Sequence, residues 1–211
     1  MGGWNAVIAA TLLLPWHPEA RGGREWHEHR YHGRTSYVAL GDTANAPLHA
    51  ETLGNNSALL TRLRIDPHGV VLRWRWRVLV HPDEADPEVR SRDDRAAGVL
   101  LVVRTSLFPW RTRALLYQWT PAQRSGLWSR SPYSRNVRTL VLEHAPADSL
   151  WREETRDLEA DLARAFGQTP DAIAGLGVIC DADNTGRRAV AEFGPLQLVT
   201  GTEALRILRG R

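Results

Sequence analysis

The sequence predicts a mostly β protein, a two-sheet β-sandwich of jelly-roll type, on three observations. Apolar residues recur with period two in several short runs, only one long segment has helical spacing, and turn-forming clusters separate the runs. A βαβ arrangement would need helices between most strands, and the pattern holds none there. The 211 residues suffice for one domain with a sizeable core. Hydrophobic residues at 43% against charged ones at 24% mark a folded chain rather than a disordered one.

Residues 1–20 read as a signal or disordered N-terminus. Ala6 to Leu14 is a continuous apolar run, followed by Pro15 and a polar stretch ending at Ala20. It is shorter than the ~20 apolar residues that span a bilayer, and it suits the centre of an export signal. The expected location is therefore periplasmic or secreted, with no stable membrane span. Met1-Gly2-Gly3-Trp4-Asn5 carries no basic residue and no Ala-x-Ala site precedes Ala20, so a buried N-terminal strand or a mistaken start is the alternative. Residues 21–52 follow as an irregular segment or first strands. Within them His27-Glu28-His29-Arg30-Tyr31-His32 could bind a transition metal if extended, with His27 and His29 on one face. A mobile polar segment is the expectation.

Residues 53–211 carry the sandwich. The clearest strand is Val70 to Val80: Val70, Leu72, Trp74, Trp76, Val78 and Val80 share one face, and Arg73, Arg75 and Arg77 the other. That is the pattern of an antiparallel sheet wetted on one side. Further strands are expected at Gly98–Thr105, Thr112–Thr120, Val137–His144, Leu176–Asp181 and Ala189–Thr200. Turns fall at His81-Pro82-Asp83, Pro121-Ala122-Gln123 and Asp183-Asn184-Thr185-Gly186. The one helix spans Leu150 to Phe166, with Trp151, Thr155, Leu158 and Leu162 on a face, Asp148 or Ser149 as cap and Gly167 as stop.

Charge and cysteine narrow the function classes. Every basic side chain other than His is Arg, and the net charge is only +3. Arg alternates with Asp and Glu instead of forming a basic stripe, so nucleic acid is not an expected partner. The single cysteine, Cys180, excludes an intramolecular disulfide and sits in an apolar run as a buried thiol. No nucleophile elbow, phosphate loop or dinucleotide fingerprint occurs.

Three kinds of site remain. Asp181, Asp183, Thr185, Gly186 and Glu192 match positions one, three, five, six and twelve of a calcium loop, so Asp181, Asp183, Thr185 and Glu192 are candidate metal ligands. A tight β-turn closed by its own side chains is the preferred reading, because Thr185 stands where Asp or Asn is usual and Arg187 and Arg188 adjoin. Of the nine tryptophans, Trp74 and Trp76 belong to the core by pattern, whereas Trp110 and Trp128 sit beside Pro109 and Gly126 as sugar-stacking candidates; Trp119 is ambiguous. Carboxylates could support glycoside hydrolysis through Asp93 with Asp94, Asp157 with Asp161, or Asp181 with Asp183, and no catalytic role is assigned to them.

Several stretches, in order, resemble one bacterial family: Trp74-Arg75-Trp76-Arg77-Val78, Asp93-Asp94, Tyr117-Gln118-Trp119, Ser131-Pro132-Tyr133 with Asn136, Trp151 with Arg156-Asp157, Phe166-Gly167, and Asp181-Ala182-Asp183-Asn184-Thr185. It is the domain-of-unknown-function family number three-thousand-forty-seven, and the resemblance runs from about Leu53 to Leu198. The resemblance implies export and a sandwich similar to carbohydrate-binding modules, and it implies no activity. Cys180 and Ala182 stand where the family usually has Thr. The candidate ligand-binding set is Trp110, Trp119, Trp128, Tyr133, Asn136, Asp94 and Arg156. The leading expectation is non-catalytic binding of a glycan or cell-envelope component. A carboxylate-dependent polysaccharide hydrolase, for instance through Asp94 with Asp183, and a purely structural module are the alternatives.

Overall fold

Period-two alternation builds two seven-stranded sheets that pack face to face as a jelly-roll-like β-sandwich. The computed structural model describes residues 10–17, 19, 25–104 and 112–210. Sheet A runs β1 (Ala10–Leu14), β14 (Leu196–Thr200), β6 (Val71–Val80), β13 (Arg188–Phe193), β4 (Leu48–Leu53) and β3 (Ser36–Ala39), and β11 (Arg152–Asp157) also pairs with β6. Sheet B runs β2 (His27–His32), β5 (Asn56–Ile65), β12 (Ala172–Asp181), β7 (Arg95–Arg104), β8 (Thr112–Trp119), β10 (Val137–Glu143) and β9 (Trp128–Arg130). Among the described residues only β8 and β10 pair in parallel.

The core lies between the sheets. Leu72, Trp74, Trp76 and Val78 point into it from β6, as the alternation requires, and meet Leu115, Tyr117 and Trp119 of β8. Their rings contact one another at 5.4–6.0 Å between centroids, Trp76 edge-on to Trp119. Trp119 is therefore a core residue, fully buried with its indole N–H donated to the Ala145 carbonyl at 2.8 Å, and not a ligand platform.

The helical expectation needs correcting at both ends of the chain's second half. Arg152–Asp157 is a strand, and the helix α1 (Leu158–Phe166) begins only after it. Pairing with β6 over Val71–Trp76 supplies backbone bonds that a lone helical turn lacks, and overrides the helical spacing of Trp151 and Thr155. Asp157, not Asp148 or Ser149, caps α1 by accepting from the Ala160 N–H, and Gly167 closes it in the left-handed conformation (φ 77°). A second helix, α2 (Gly201–Arg209), covers Val71 and Val199 on the outer face of sheet A with Ala204, Ile207 and Leu208. The run Ala189–Thr200 splits into β13 and β14 at Gly194-Pro195, where the Gly194 N–H bonds the Arg75 carbonyl and Pro195 has no N–H to give.

The described residues before Leu53 form strands. Ala10–Leu14 pairs with β14, and Leu14 and Trp16 are buried in the core. The His27–His32 segment, expected to be mobile, is a strand that pairs with β5. Among the described residues no helix is long and apolar enough to cross a membrane.

Candidate functional site

Alternation also gives sheet B an outer face. On β12, Leu176, Val178 and Cys180 enter the core, so Ile179 and Asp181 face outward. Ala58, Leu100, Leu116 and Ile179 form a second apolar cluster there, flanked by Leu60, Val102, Ala114 and Val137. A cavity of about 610 Å³ lies over this apolar floor. Tyr31 and Tyr133, both about half exposed, line it, together with Asn56, Asn136 and Asn184.

One end of the cavity is charged. Arg95, 5% exposed, donates to Asp181 Oδ2 at 2.7 Å and to the Asp93 carbonyl at 3.0 Å, and also pairs with the Asp93 carboxylate. Burial pushes the Asp181 carboxyl well up against the pull of Arg95, and Asp94 and Asp183 add to the rise. Burial raises Asp93 in the same way, with Arg95 opposing. One guanidinium is thus shared between two carboxylates while two more lie close. Two buried polar atoms on this wall have no partner among the described residues: the Arg95 Nε–H, a donor, and Asn56 Oδ1, an acceptor.

The turn after β12 is held from β7. Asp94 is fully buried and accepts from the backbone N–H groups of Asn184 (3.0 Å) and Thr185 (2.7 Å) and from Asn184 Nδ2 (3.2 Å). Asp183 Oδ1 accepts from Asn184 Nδ2 at 2.8 Å. The Tyr133 hydroxyl lies against the Arg90 carbonyl at 2.7 Å and against Asn184 Oδ1. Asp94, Asp181 and Asp183 bring one carboxylate oxygen each to within 4.8 Å of one another, the group among the described residues that could hold a metal ion. Their oxygens already accept from Asn184, Thr185 and Arg95, and the buried Arg95 guanidinium opposes a second cation.

Of the residues singled out from sequence, Tyr133, Asn136, Asp181 and Asp183 line the cavity and Asp94 braces its turn. Thr185 belongs to the turn, but its hydroxyl accepts from the Arg187 N–H at 3.3 Å. Glu192 does not join the calcium-loop set. It lies on the outer face of sheet A, held by Arg77 at 2.7 and 2.9 Å and by His49 at 3.3 Å, because β13 leaves the turn for the other sheet. Arg156 faces inward instead, gripping Asp161 of α1 with two bonds of 2.8 and 2.6 Å, while the Tyr117 hydroxyl donates to the same carboxylate at 2.8 Å. Trp128 is partly buried and carries the Arg164 guanidinium over its ring at 5.0 Å, so that face is taken. Trp110 lies outside the described residues.

Sequence reasoning missed Tyr31, Asn56 and Arg95. The signal for Arg95 was a charge opening an otherwise apolar strand, Arg95-Ala96-Ala97-Gly98-Val99-Leu100, where an unburied Arg has no reason to sit.

A family model for DUF3047, described as a protein of unknown function, matches residues 24–197. No curated protein matches the chain. Among solved structures the chain is similar to the Trichoderma harzianum endoglucanase 3 of family GH12, at 5% identity over 95% of this chain and 100% of that one, with a TM-score of 0.46. It is similar to a thermostable cellulase derived from Cel12A of Rhodothermus marinus, at 10% identity over 92% and 100% of the two chains, TM-score 0.48. The Emp47p carbohydrate recognition domain matches at 14% identity over 95% and 100%, TM-score 0.46.

Proposed function

The chain belongs to the DUF3047 family, and from that premise we propose that it binds a glycan, seating a sugar in the cavity on the outer face of sheet B. One observation carries the reading: an unpaired donor, Arg95 Nε–H, and an unpaired acceptor, Asn56 Oδ1, border the same cavity over an apolar floor. Leaving a buried polar group unpaired costs about 1–3 kcal/mol, and a hydroxyl can both give and receive. A sugar supplies hydroxyls on its edges and an apolar C–H face for the floor of Leu100, Leu116 and Ile179, with Tyr31 and Tyr133 at the rim. A location outside the cytoplasm, where cell-envelope glycans are met, belongs to the same proposal, and fractionation of producing cells tests it.

Calorimetric titration with a panel of soluble neutral and acidic oligosaccharides tests the binding. At least one should bind, and Tyr133→Ala should weaken it about tenfold, the worth of one aromatic contact. Tyr133 is 52% exposed, so its loss should lower the melting temperature only modestly, through the contacts its hydroxyl makes with the Arg90 carbonyl and Asn184. A panel in which nothing binds at millimolar concentration refutes the proposal.

A hydrolase is a second reading, favoured by Asp181 alone. Burial raises its carboxyl, as a general acid requires, and the Asp183 carboxylate lies beside it, one oxygen of each within 4.8 Å of the other. Release of reducing ends from a bound polysaccharide, lost in Asp183→Asn, would establish it; binding without release would exclude it.

A further inference from the structure

Four carboxylates crowd the charged end of the cavity, Asp93, Asp94, Asp181 and Asp183, and among the described residues Arg95 is the one guanidinium that bonds any of them. Strand register causes the crowding. Asn56 of β5 and Arg95 of β7 flank Asp181 as its partners, and Asp183 follows on the turn that Asp94 holds. Asp94 accepts three N–H bonds there, and Asp93 and Asp181 share Arg95. Asp183 is partly buried and lines the cavity; its one printed donor is Asn184 Nδ2, and its closest other side chain is the Asp181 carboxyl. Asn56 Oδ1, across the strand from Asp181, is a buried acceptor with no partner. Acceptors and negative charge are thus in excess. A proton on the raised Asp181 still leaves three carboxylates against Arg95. Arg90, the next guanidinium, is stacked over the Tyr133 ring at 4.8 Å.

We infer that the cavity selects an amino sugar, its ring on the floor of Leu100, Leu116 and Ile179 and its free ammonium group against Asp183; the inference rests on the glycan reading above. An ammonium gives three N–H donors, needs no acceptor and brings the missing charge, where a hydroxyl gives one donor and no charge. Ile179 of the floor and Asp181 are two residues apart on β12, about 6.6 Å along the strand, so one ring can lie on the floor while its substituent reaches the carboxylates. The buried, unpaired Arg95 Nε–H is left for a ring hydroxyl. A metal ion would have to take oxygens that Asp94 and Asp181 have already committed, whereas the ammonium needs Asp183, which Arg95 does not bond. The whole chain carries a net +3, so its overall charge repels a cation and any attraction at this cavity is local.

The test is calorimetry on the full chain at about pH 6, where a sugar amine carries its proton. It compares oligosaccharides of glucosamine, of N-acetylglucosamine and of glucose, equal in length and linkage. The free-amine form should bind about tenfold tighter than the glucose form, the difference between a charged and a neutral hydrogen bond, and N-acetylation should abolish the advantage. In Asp183→Asn the ratio of the two affinities should fall to near one, and in Asp183→Glu, which restores the charge, it should persist. The wild-type comparison decides the ligand class by itself, and the two variants decide the residue. Equal or weaker binding of the free-amine form to the wild type, or a preference that survives Asp183→Asn, overturns the inference and leaves the glycan reading standing. Where none of the three sugars binds, that reading fails with it. A lysine-rich peptide of the same charge bound as tightly as the amino sugar also overturns the inference.

Discussion

Glu154 on β11 points inward beside the core, accepts from the Trp76 indole N–H at 3.2 Å and lies against the Glu143 carboxylate. Burial first, then Glu143, raises its pKa from 4.5 to about 7. Between those values the folded protein keeps a proton that the unfolded chain has lost, so the contribution of Glu154 to stability is full below about pH 4.5 and is lost as pH rises to about 7. At ~1.4 kcal/mol for each pH unit the loss amounts to about 3 kcal/mol. Glu154→Gln keeps an acceptor for Trp76 and a donor for Glu143, and removes the titration. The charged groups that act on this position, Glu143 and Arg156, remain in place. Urea unfolding of both proteins at about pH 5 and pH 8 checks the reasoning. The variant should match the wild type at pH 5 and exceed it by about 2–3 kcal/mol at pH 8. Asp93 and Asp181 slope the same way in both proteins, so the difference between the two isolates Glu154. A difference that does not change with pH refutes the assignment.

Three further outcomes follow from the packing. Asp161→Ala should cost about 3 kcal/mol in urea unfolding, since it leaves Arg156 and the Tyr117 hydroxyl without their shared partner. Gly177→Ala should cost about 3 kcal/mol or prevent folding, because a Cβ there would lie 2.0 Å from the Leu59 carbonyl oxygen; Gly126→Ala, with φ 82° and nothing within 4 Å, should cost only about 1 kcal/mol in the same assay. Cys180 is fully buried and burial pushes its thiol far up, so a colourimetric thiol reagent at about pH 8 should find no reactive group in native protein and one per chain in denaturant.

Much of the fold was legible because side-chain alternation is a local property. Val70 to Val80 announced both its core face and its wetted face, and β6 presents them so. The strand formed by Arg152–Asp157 was not legible, since its apolar spacing is helical and its pairing partner is about eighty positions away in the chain. The pairing of Ala10–Leu14 with β14 was likewise not legible, since its partner lies far along the chain. The segment after β12 announced a tight turn in its place, through clustered Asp and Asn around a Gly, but not which residues hold it. Glu192 fits the spacing of a calcium loop, yet its strand crosses to sheet A and its carboxylate goes to Arg77. Asp94, about ninety positions earlier, takes up the turn's backbone N–H groups instead.

The sequence by itself determined which residues could be buried and which faces of the strands could meet water, because period and polarity act between near neighbours. It also determined that the chain's chemistry would rest on Asp, Arg and aromatic side chains, with one inert thiol. Only the tertiary structure decided which of these meet. Strand order brought Asn56, Arg95, Asp181 and Tyr133 around one cavity, and separated Trp119, Arg156 and Glu192 from it. Those contacts join distant parts of the chain, and no local pattern encodes a distance between residues whose positions depend on how two sheets stack.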